Sequence, residues 1–195
     1  MKRALKKWMI LGLMIALGGC AATQQIKIKS YSERTDIFRE VREEGEIPNG
    51  CADLIIQAPL KTHLEGFYLF ELEENFHGKP RFPFLINVDG QAIIWEINGQ
   101  REIAPYYDEK GRKNPEGGDG MRYVLKKRIR LASGSHRVFF SLPSEGYFKQ
   151  IQITLNDGCL HKVEFKPIYR RVKSNIQSFL SGINRFEVVF DGQNP

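Results

Sequence analysis

Short segments that alternate apolar and polar residues make up most of the chain after residue 50. The clearest lies at 121–131, where most odd-numbered positions are apolar and most even-numbered positions are lysine or arginine. A period of two is the repeat of a β-strand with one buried face. Turn-forming residues separate such segments, as in an all-β domain. The expected strands are residues 51–57, 67–71, 82–88, 92–97, 121–131, 136–142, 148–155, 159–165 and 186–190.

Turn signals and helical segments complete the prediction of the fold class. Asp89-Gly90 and Asn98-Gly99 predict tight hairpin turns, because these residue types adopt positive φ at low cost. Only two short helices are expected, at 35–44 and 172–180. The sequence therefore predicts a mainly β fold, either a β-sandwich or a barrel. We expect the antiparallel β-sandwich of immunoglobulin-like type, with one or two short helices.

The first twenty residues predict export from the cytoplasm. Four lysine and arginine residues precede an uncharged run from Trp8 to Leu17, which is the pattern of a signal peptide. As a helix, that run would cover about 15 Å, roughly half the hydrocarbon core of a bilayer. A transmembrane helix is therefore excluded by length.

The uncharged run ends in Leu17-Gly18-Gly19-Cys20, which resembles the lipobox of bacterial lipoproteins. The resemblance implies cleavage before Cys20 and a covalent lipid on its sulfur, and more than one acyl chain anchors a protein stably. Ala21, in place of Asp, implies transport to the outer membrane. The alternative is an ordinary secretory signal with an incidental cysteine. No cofactor beyond the lipid on Cys20 is expected.

Charge argues against nucleic acid as a partner. Removal of residues 1–19 takes away four positive and no negative charges, so the net charge falls from +6 to +2. The basic character of the chain belongs mostly to the predicted signal peptide. Such a small net charge gives no electrostatic reason to expect nucleic-acid binding.

Lipidation of Cys20 would leave Cys51 and Cys159 as an even pair in an oxidising compartment, which predicts a disulfide between them. The alternating pattern from 159 to 165 places Cys159 on the apolar face of its strand. The alternative is a pair of free thiols. The predicted organisation is a signal peptide at 1–19, a tether with a possible short helix at 20–50, and a β-sandwich domain at 51–195 with a long loop at 105–120.

Residues 82–166 resemble the PEGA-type module of bacterial envelope proteins. The resemblance is carried by Ile86-Asn87-Val88-Asp89-Gly90, by Ser133-Gly134-Ser135-His136-Arg137-Val138 and by Glu145-Gly146-Tyr147. The opening Pro-x-Gly-Ala of that module is missing, and residues 91–128 are an insertion. The resemblance implies a small β-sandwich and a non-catalytic role.

Catalytic and metal-binding patterns are absent from the sequence. The four histidines lack zinc-site spacing, and there is no Gly-x-Ser-x-Gly nucleophile motif. Two groups are candidate partner-binding residues: Tyr106 and Tyr107, and the basic run Lys126, Lys127 and Arg128. The tyrosines could instead cap the core, and the basic residues could serve solubility.

The expected function is that of an outer-membrane lipoprotein with a binding or structural role toward a protein or glycan partner. The alternatives are an accessory subunit of an envelope assembly or secretion machine, and a hydrolase of envelope polymers.

Overall fold

The computed structural model describes residues 22–42, 45–71, 75–170 and 178–193. Within these residues, nine strands form one mixed sheet in the order β7-β6-β3-β4-β5-β2-β8-β9, with β1 paired to β5. The strands are β1 (Phe38–Glu40), β2 (Cys51–Thr62), β3 (Arg81–Val88), β4 (Gln91–Ala104), β5 (Gly118–Ala132), β6 (Gly134–Leu142), β7 (Tyr147–Leu155), β8 (Leu160–Tyr169) and β9 (Ile183–Phe190). Two 3₁₀ turns complete the domain, η1 (Pro143–Glu145) and η2 (Ser178–Ser181).

The sheet curls into a nearly closed barrel. The first half of β4, at 91–98, pairs with β3, and its second half, at 99–104, pairs with β5, so this strand carries the sheet around the curve. The edge strands β7 and β9 meet where the Phe186 amide donates to the Tyr147 hydroxyl at 2.9 Å. β2 and β8 are parallel. The mainly β prediction is confirmed, whereas the antiparallel β-sandwich is not, because one continuous mixed sheet takes the place of two layers.

Side chains fill the interior of the barrel. Phe140 of β6 stacks on Phe165 of β8 with ring centroids 4.2 Å apart, although these strands are far apart in the sheet. Phe82 of β3 packs against Tyr123 of β5 in a tilted arrangement with ring centroids 5.1 Å apart. All four side chains are fully buried. Aromatic packing across the barrel therefore provides the core.

Of the two predicted hairpin turns, only Asp89-Gly90 forms, with φ of 47° and 96°. Asn98-Gly99 lies inside β4, where the strand passes from β3 to β5. A Cβ at Gly99 would stand 2.6 Å from Tyr123 Cε1 and 2.8 Å from Met121 Cγ. The glycine is needed here for close side-chain approach and not for a turn.

Gly99→Ala is expected to lower the free energy of unfolding by about 1 to 3 kcal/mol, because the added methyl overpacks the Tyr123 and Met121 side chains. Urea denaturation measures the change. Gly45→Ala is the matched control, since nothing lies within 4 Å of a Cβ there. Equal stability of the two variants would contradict this account of Gly99.

Helix α1 covers residues 22–30, inside the predicted tether at 20–50, whereas the short helix of that segment was expected at 35–44. It lies on the outer face of the barrel, where Ile26 packs against Leu85 and Phe139. After it, the Glu33 amide donates to the Gly90 carbonyl at 2.8 Å. Burial of one apolar side chain and pairing with the hairpin thus dock this segment onto the barrel.

Two other predictions differ from the structure, and a third falls mostly outside the described residues. Residues 38–40 form β1, paired with β5, where a helix at 35–44 was expected, and residues 43–44 lie outside the described residues. The strand predicted at 67–71 is not formed. Most of the helix predicted at 172–180 lies outside the described residues, and η2 occupies its end.

The predicted disulfide is not seen, since Cys51 and Cys159 are both free thiols. Asp53 pairs with Leu160 in the register of β2 and β8, so the two cysteines are close along the sheet. Side chains alternate between faces, however. Cys51 is in phase with Asp53 on the outer face, and Cys159 is in phase with the inward-facing His161. The register therefore places the side chains of the two cysteines on opposite faces of the sheet.

Candidate functional site

The strand connections lie at the two ends of the barrel. Four of them meet where β2, β4, β6 and β8 end, and we call this the loop end: residues 63–80, 105–117, 143–146 and 170–182, of which 72–74 and 171–177 lie outside the described residues. All but 143–146 are long. The connections at 89–90, 133 and 156–159 meet at the opposite end, which we call the turn end, and the β1–β2 connection at 41–50 reaches it where the Ser133 amide donates to the Gly50 carbonyl. Because binding residues concentrate on loops held by a rigid scaffold, the loop end is the candidate site.

A fully buried lysine ties the long loop to the barrel. The Lys61 ammonium donates to the Glu116 and Gly118 carbonyls, each at 2.8 Å, and lies 3.3 Å from the Glu102 carboxylate. It also stands 5.1 Å from the centre of the Phe179 ring. A buried ammonium must be paired in this way to offset its lost hydration.

Charged and hydroxyl groups extend this network. The Tyr169 hydroxyl donates to Glu116 at 2.8 Å, and Arg122 bridges Glu116 and Glu102. Burial and the Glu116 carboxylate raise the pKa of Tyr169 well above its ordinary value, so its hydroxyl stays protonated. Burial raises the pKa of Glu102, but Arg122 and Lys61 outweigh it and hold that pKa below its ordinary value. The network fixes the base of the loop.

A second hydrogen-bonded network at the loop end runs through two histidines. His77 Nε2 lies 2.6 Å from the Glu145 carboxylate, His77 Nδ1 lies 2.8 Å from His63 Nε2, and His63 Nδ1 lies 2.9 Å from the Leu64 carbonyl. Burial lowers the pKa of His63, so this ring is neutral near pH 7. With Nδ1–H donated to Leu64, His63 accepts at Nε2, and the bond between the rings then requires a proton on His77 Nδ1.

The four ring nitrogens of this pair are all occupied. His77 faces His63 through one ring nitrogen and the Glu145 carboxylate through the other. A histidine that acts as a general base needs a free ring nitrogen within reach of substrate. The pair therefore links the 63–80 connection to Glu145 of η1 through hydrogen bonds.

Four exposed apolar residues project from that connection, and we call them the apolar tip: Phe67, Tyr68, Leu69 and Phe70. Leu69 is 96% exposed and Phe70 is 97% exposed, although both are large apolar residues. The Tyr68 hydroxyl donates to the Leu180 carbonyl at 2.8 Å, and Phe67 stacks on His63. The base of the tip is thus held in place while its end is left in solvent.

The tyrosines singled out in the sequence lie at the loop end as well. Tyr106 and Tyr107 are both exposed. The Tyr106 carbonyl accepts the Asn114 amide at 2.8 Å, and Asp108 accepts the Arg112 amide at the same distance, so the 105–117 loop is an ordered hairpin-like turn. β5 begins at Gly118, and the predicted loop at 105–120 is therefore three residues shorter.

The basic run does not join the tyrosines. Lys127 binds Glu40 at 2.6 Å, and Arg128 binds the buried Asp53. Lys126 is exposed on the outer face, beside a groove of about 390 Å³ that Arg42 and Leu160 also line. Two of the three cations therefore hold the fold together, and Lys126 is left facing solvent next to that groove.

Sequence reasoning missed the apolar tip, Lys61 and the histidine pair. Phe67–Phe70 was assigned to a strand, although four successive apolar residues without alternation fit no half-buried strand. Lys61 carries no sequence signal of burial. His63 and His77 are fourteen positions apart, and only the close approach of the two ends of their connection brings them together.

In the described part of the chain, no group of three or more histidine, cysteine or acidic residues is placed to hold a metal ion. The described helical segments lack the length and apolarity needed to cross a bilayer. Cys20 and the predicted signal peptide lie outside the described residues. Comparison with protein-family models, with curated proteins and with solved structures found no significant match.

Proposed function

We propose that this chain is a bacterial envelope lipoprotein, anchored through Cys20 in the outer membrane, with a non-catalytic role in binding or holding a protein or glycan partner. The observation that carries the proposal is the position of Leu17-Gly18-Gly19-Cys20 directly ahead of α1. Since α1 is docked on the barrel, a lipid on Cys20 would hold the whole domain close to the membrane.

The polar groups of the loop end support a binding role over an enzymatic one. Lys61, His63 and His77 all form their hydrogen bonds with groups of the same chain. A hydrolase would instead aim such groups into a cleft at a reacting bond. The exposed groups at this end include several aromatic and aliphatic side chains, which are suited to contact.

Cys20→Ser is expected to abolish acylation, because the thioether requires the sulfur, and to release the protein from the membrane fraction. Incorporation of labelled palmitate and fractionation of envelopes measure the two effects. Cys51→Ser and Cys159→Ser are the matched controls and should keep both label and membrane retention, since these residues lie within the folded domain. Unchanged retention of the Cys20→Ser protein would refute the anchor.

Crosslinking in the native envelope, followed by identification of what is captured, separates the alternatives for the role. A set of mutually bound envelope proteins would indicate an accessory subunit of an assembly or secretion machine. Capture of peptidoglycan or polysaccharide would indicate a glycan partner. Release of cleaved envelope polymer by the purified protein would indicate a hydrolase and refute the non-catalytic role.

A further inference from the structure

The direction of α1 decides which end of the barrel faces the anchored membrane. Ile26 packs against Leu85, and three residues later the Lys29 carbonyl accepts the Asn87 side-chain amide at 2.9 Å. β3 runs from the loop end to the turn end, so α1 runs the same way along it. Residue 22, one helical turn before Ile26, is therefore about 6 Å nearer the loop end.

Large apolar side chains are exposed at that same end. The apolar tip contributes Leu69 and Phe70, the 105–117 connection contributes Tyr107, and the end of β4 contributes Ile103; the last two are 65% and 75% exposed. Soluble surfaces rarely gather so many large apolar groups without a partner. Aromatic residues with one polar atom are also the type that concentrates at membrane interfaces.

Two arginines near these residues are paired with acidic groups of the chain. Arg112 binds Asp108 at 2.7 Å, and Arg101 binds Asp119 at 2.6 Å. This pairing lowers the attraction of the two arginines for anionic lipid. Apolar contact is therefore the main source of any affinity for a bilayer, and zwitterionic lipid should suffice.

We infer that the loop end docks on the lipid bilayer, with the apolar tip inserted at the boundary between headgroups and acyl chains. This inference rests on the proposed function, because the lipid on Cys20 supplies the membrane that the tip contacts. The loop end of the domain would then contact the bilayer. The turn end and the groove beside Lys126 would face away from the bilayer and remain accessible to the partner.

The test uses the intact lipidated protein in phosphatidylcholine vesicles with brominated acyl chains, which quench tryptophan on contact. Phe70→Trp places the probe on the tip. Leu160→Trp is the matched control, since Leu160 is 51% exposed at the turn end. Trp95 is buried and gives both variants the same background. We expect at least about twofold quenching of Phe70→Trp and none of Leu160→Trp.

Quenching of Leu160→Trp that equals or exceeds that of Phe70→Trp would overturn the inference, as would quenching of neither. A photocrosslinker at position 70 that captures protein instead of lipid would show that the tip is a protein-docking surface and would also overturn it. Equal urea midpoints of the two variants and the native chain confirm that the probes leave the fold intact.

Failure of this inference is distinguishable from failure of the anchor. If labelled palmitate is incorporated but Phe70→Trp is not quenched, the anchor stands and the docking of the loop end is wrong. If no palmitate is incorporated but Phe70→Trp is still quenched by added vesicles, the bilayer-binding end stands and the lipoprotein proposal is wrong.

Discussion

Lys61→Met is expected to lower the free energy of unfolding by about 2 to 4 kcal/mol, because it removes a buried ammonium from the partly exposed Glu102 carboxylate and leaves two carbonyls without a donor. The Lys61 side chain is fully buried, and its ammonium donates to the Glu116 and Gly118 carbonyls. Methionine keeps the apolar stem and removes the three donors. The Glu102 carboxylate loses its lysine partner in the same step.

Urea denaturation followed by the fluorescence of Trp95 measures this effect. Lys126→Met is the matched control, because Lys126 is exposed on the outer face of β5, and it should change stability by less than about 0.5 kcal/mol. Faster amide exchange at 105–117 in the Lys61→Met protein would confirm that the lysine holds this loop. A loss no larger than that of Lys126→Met would refute the role assigned to Lys61.

Asp53→Asn is expected to cost about 2 to 4 kcal/mol, because two guanidinium groups converge on this one buried carboxylate. Arg130 donates to both oxygens of Asp53, at 2.6 and 3.0 Å, and Arg128 donates to one of them at 2.7 Å. An amide offers one acceptor in place of two and turns its own N–H toward a cation. Asp36→Asn is the control, since its pair with Arg34 is exposed to solvent and its loss should change stability much less than Asp53→Asn.

The same carboxylate makes stability depend on pH. The hydrogen bond from Arg130, with further help from Arg128, lowers the pKa of Asp53 below its ordinary value despite the opposing effect of burial. The folded state therefore binds this proton more weakly than the unfolded chain does. The stabilisation from Asp53 is complete above about pH 4 and is lost as pH falls through the lowered pKa. Urea midpoints measured from pH 6 to pH 3 should fall less steeply for Asp53→Asn than for the native chain.

Two ion pairs explain why part of the predicted binding surface is structural. Arg128 was a candidate for partner binding because it lies in a basic run, yet it neutralises Asp53. Lys127 likewise neutralises Glu40. A charge run in sequence does not show which of its members will face a buried acid, because the acids come from distant strands.

Local sequence was sufficient where one strand and its nearest turn decide the conformation. The alternation at 121–131 predicted β5 with its outward arginines, and Asp89-Gly90 predicted the β3–β4 turn. It failed where a distant contact overrides the local preference. Asn98-Gly99 stays extended because β5 pairs with the second half of β4. A glycine is required at position 99 because the Tyr123 side chain leaves no room for a Cβ.

The sequence by itself determined that the chain is mainly β, where most of the strands lie, and that Leu17-Gly18-Gly19-Cys20 stands ahead of the domain, because periodicity and short motifs are local properties. Only the tertiary structure decided that the sheet curls into a barrel, that α1 is docked along β3, and that buried Lys61 and the hydrogen-bonded pair of His63 and His77 lie at the end where the apolar tip projects. Those features depend on which strands become neighbours, and strand pairing is set by contacts between residues far apart in the chain.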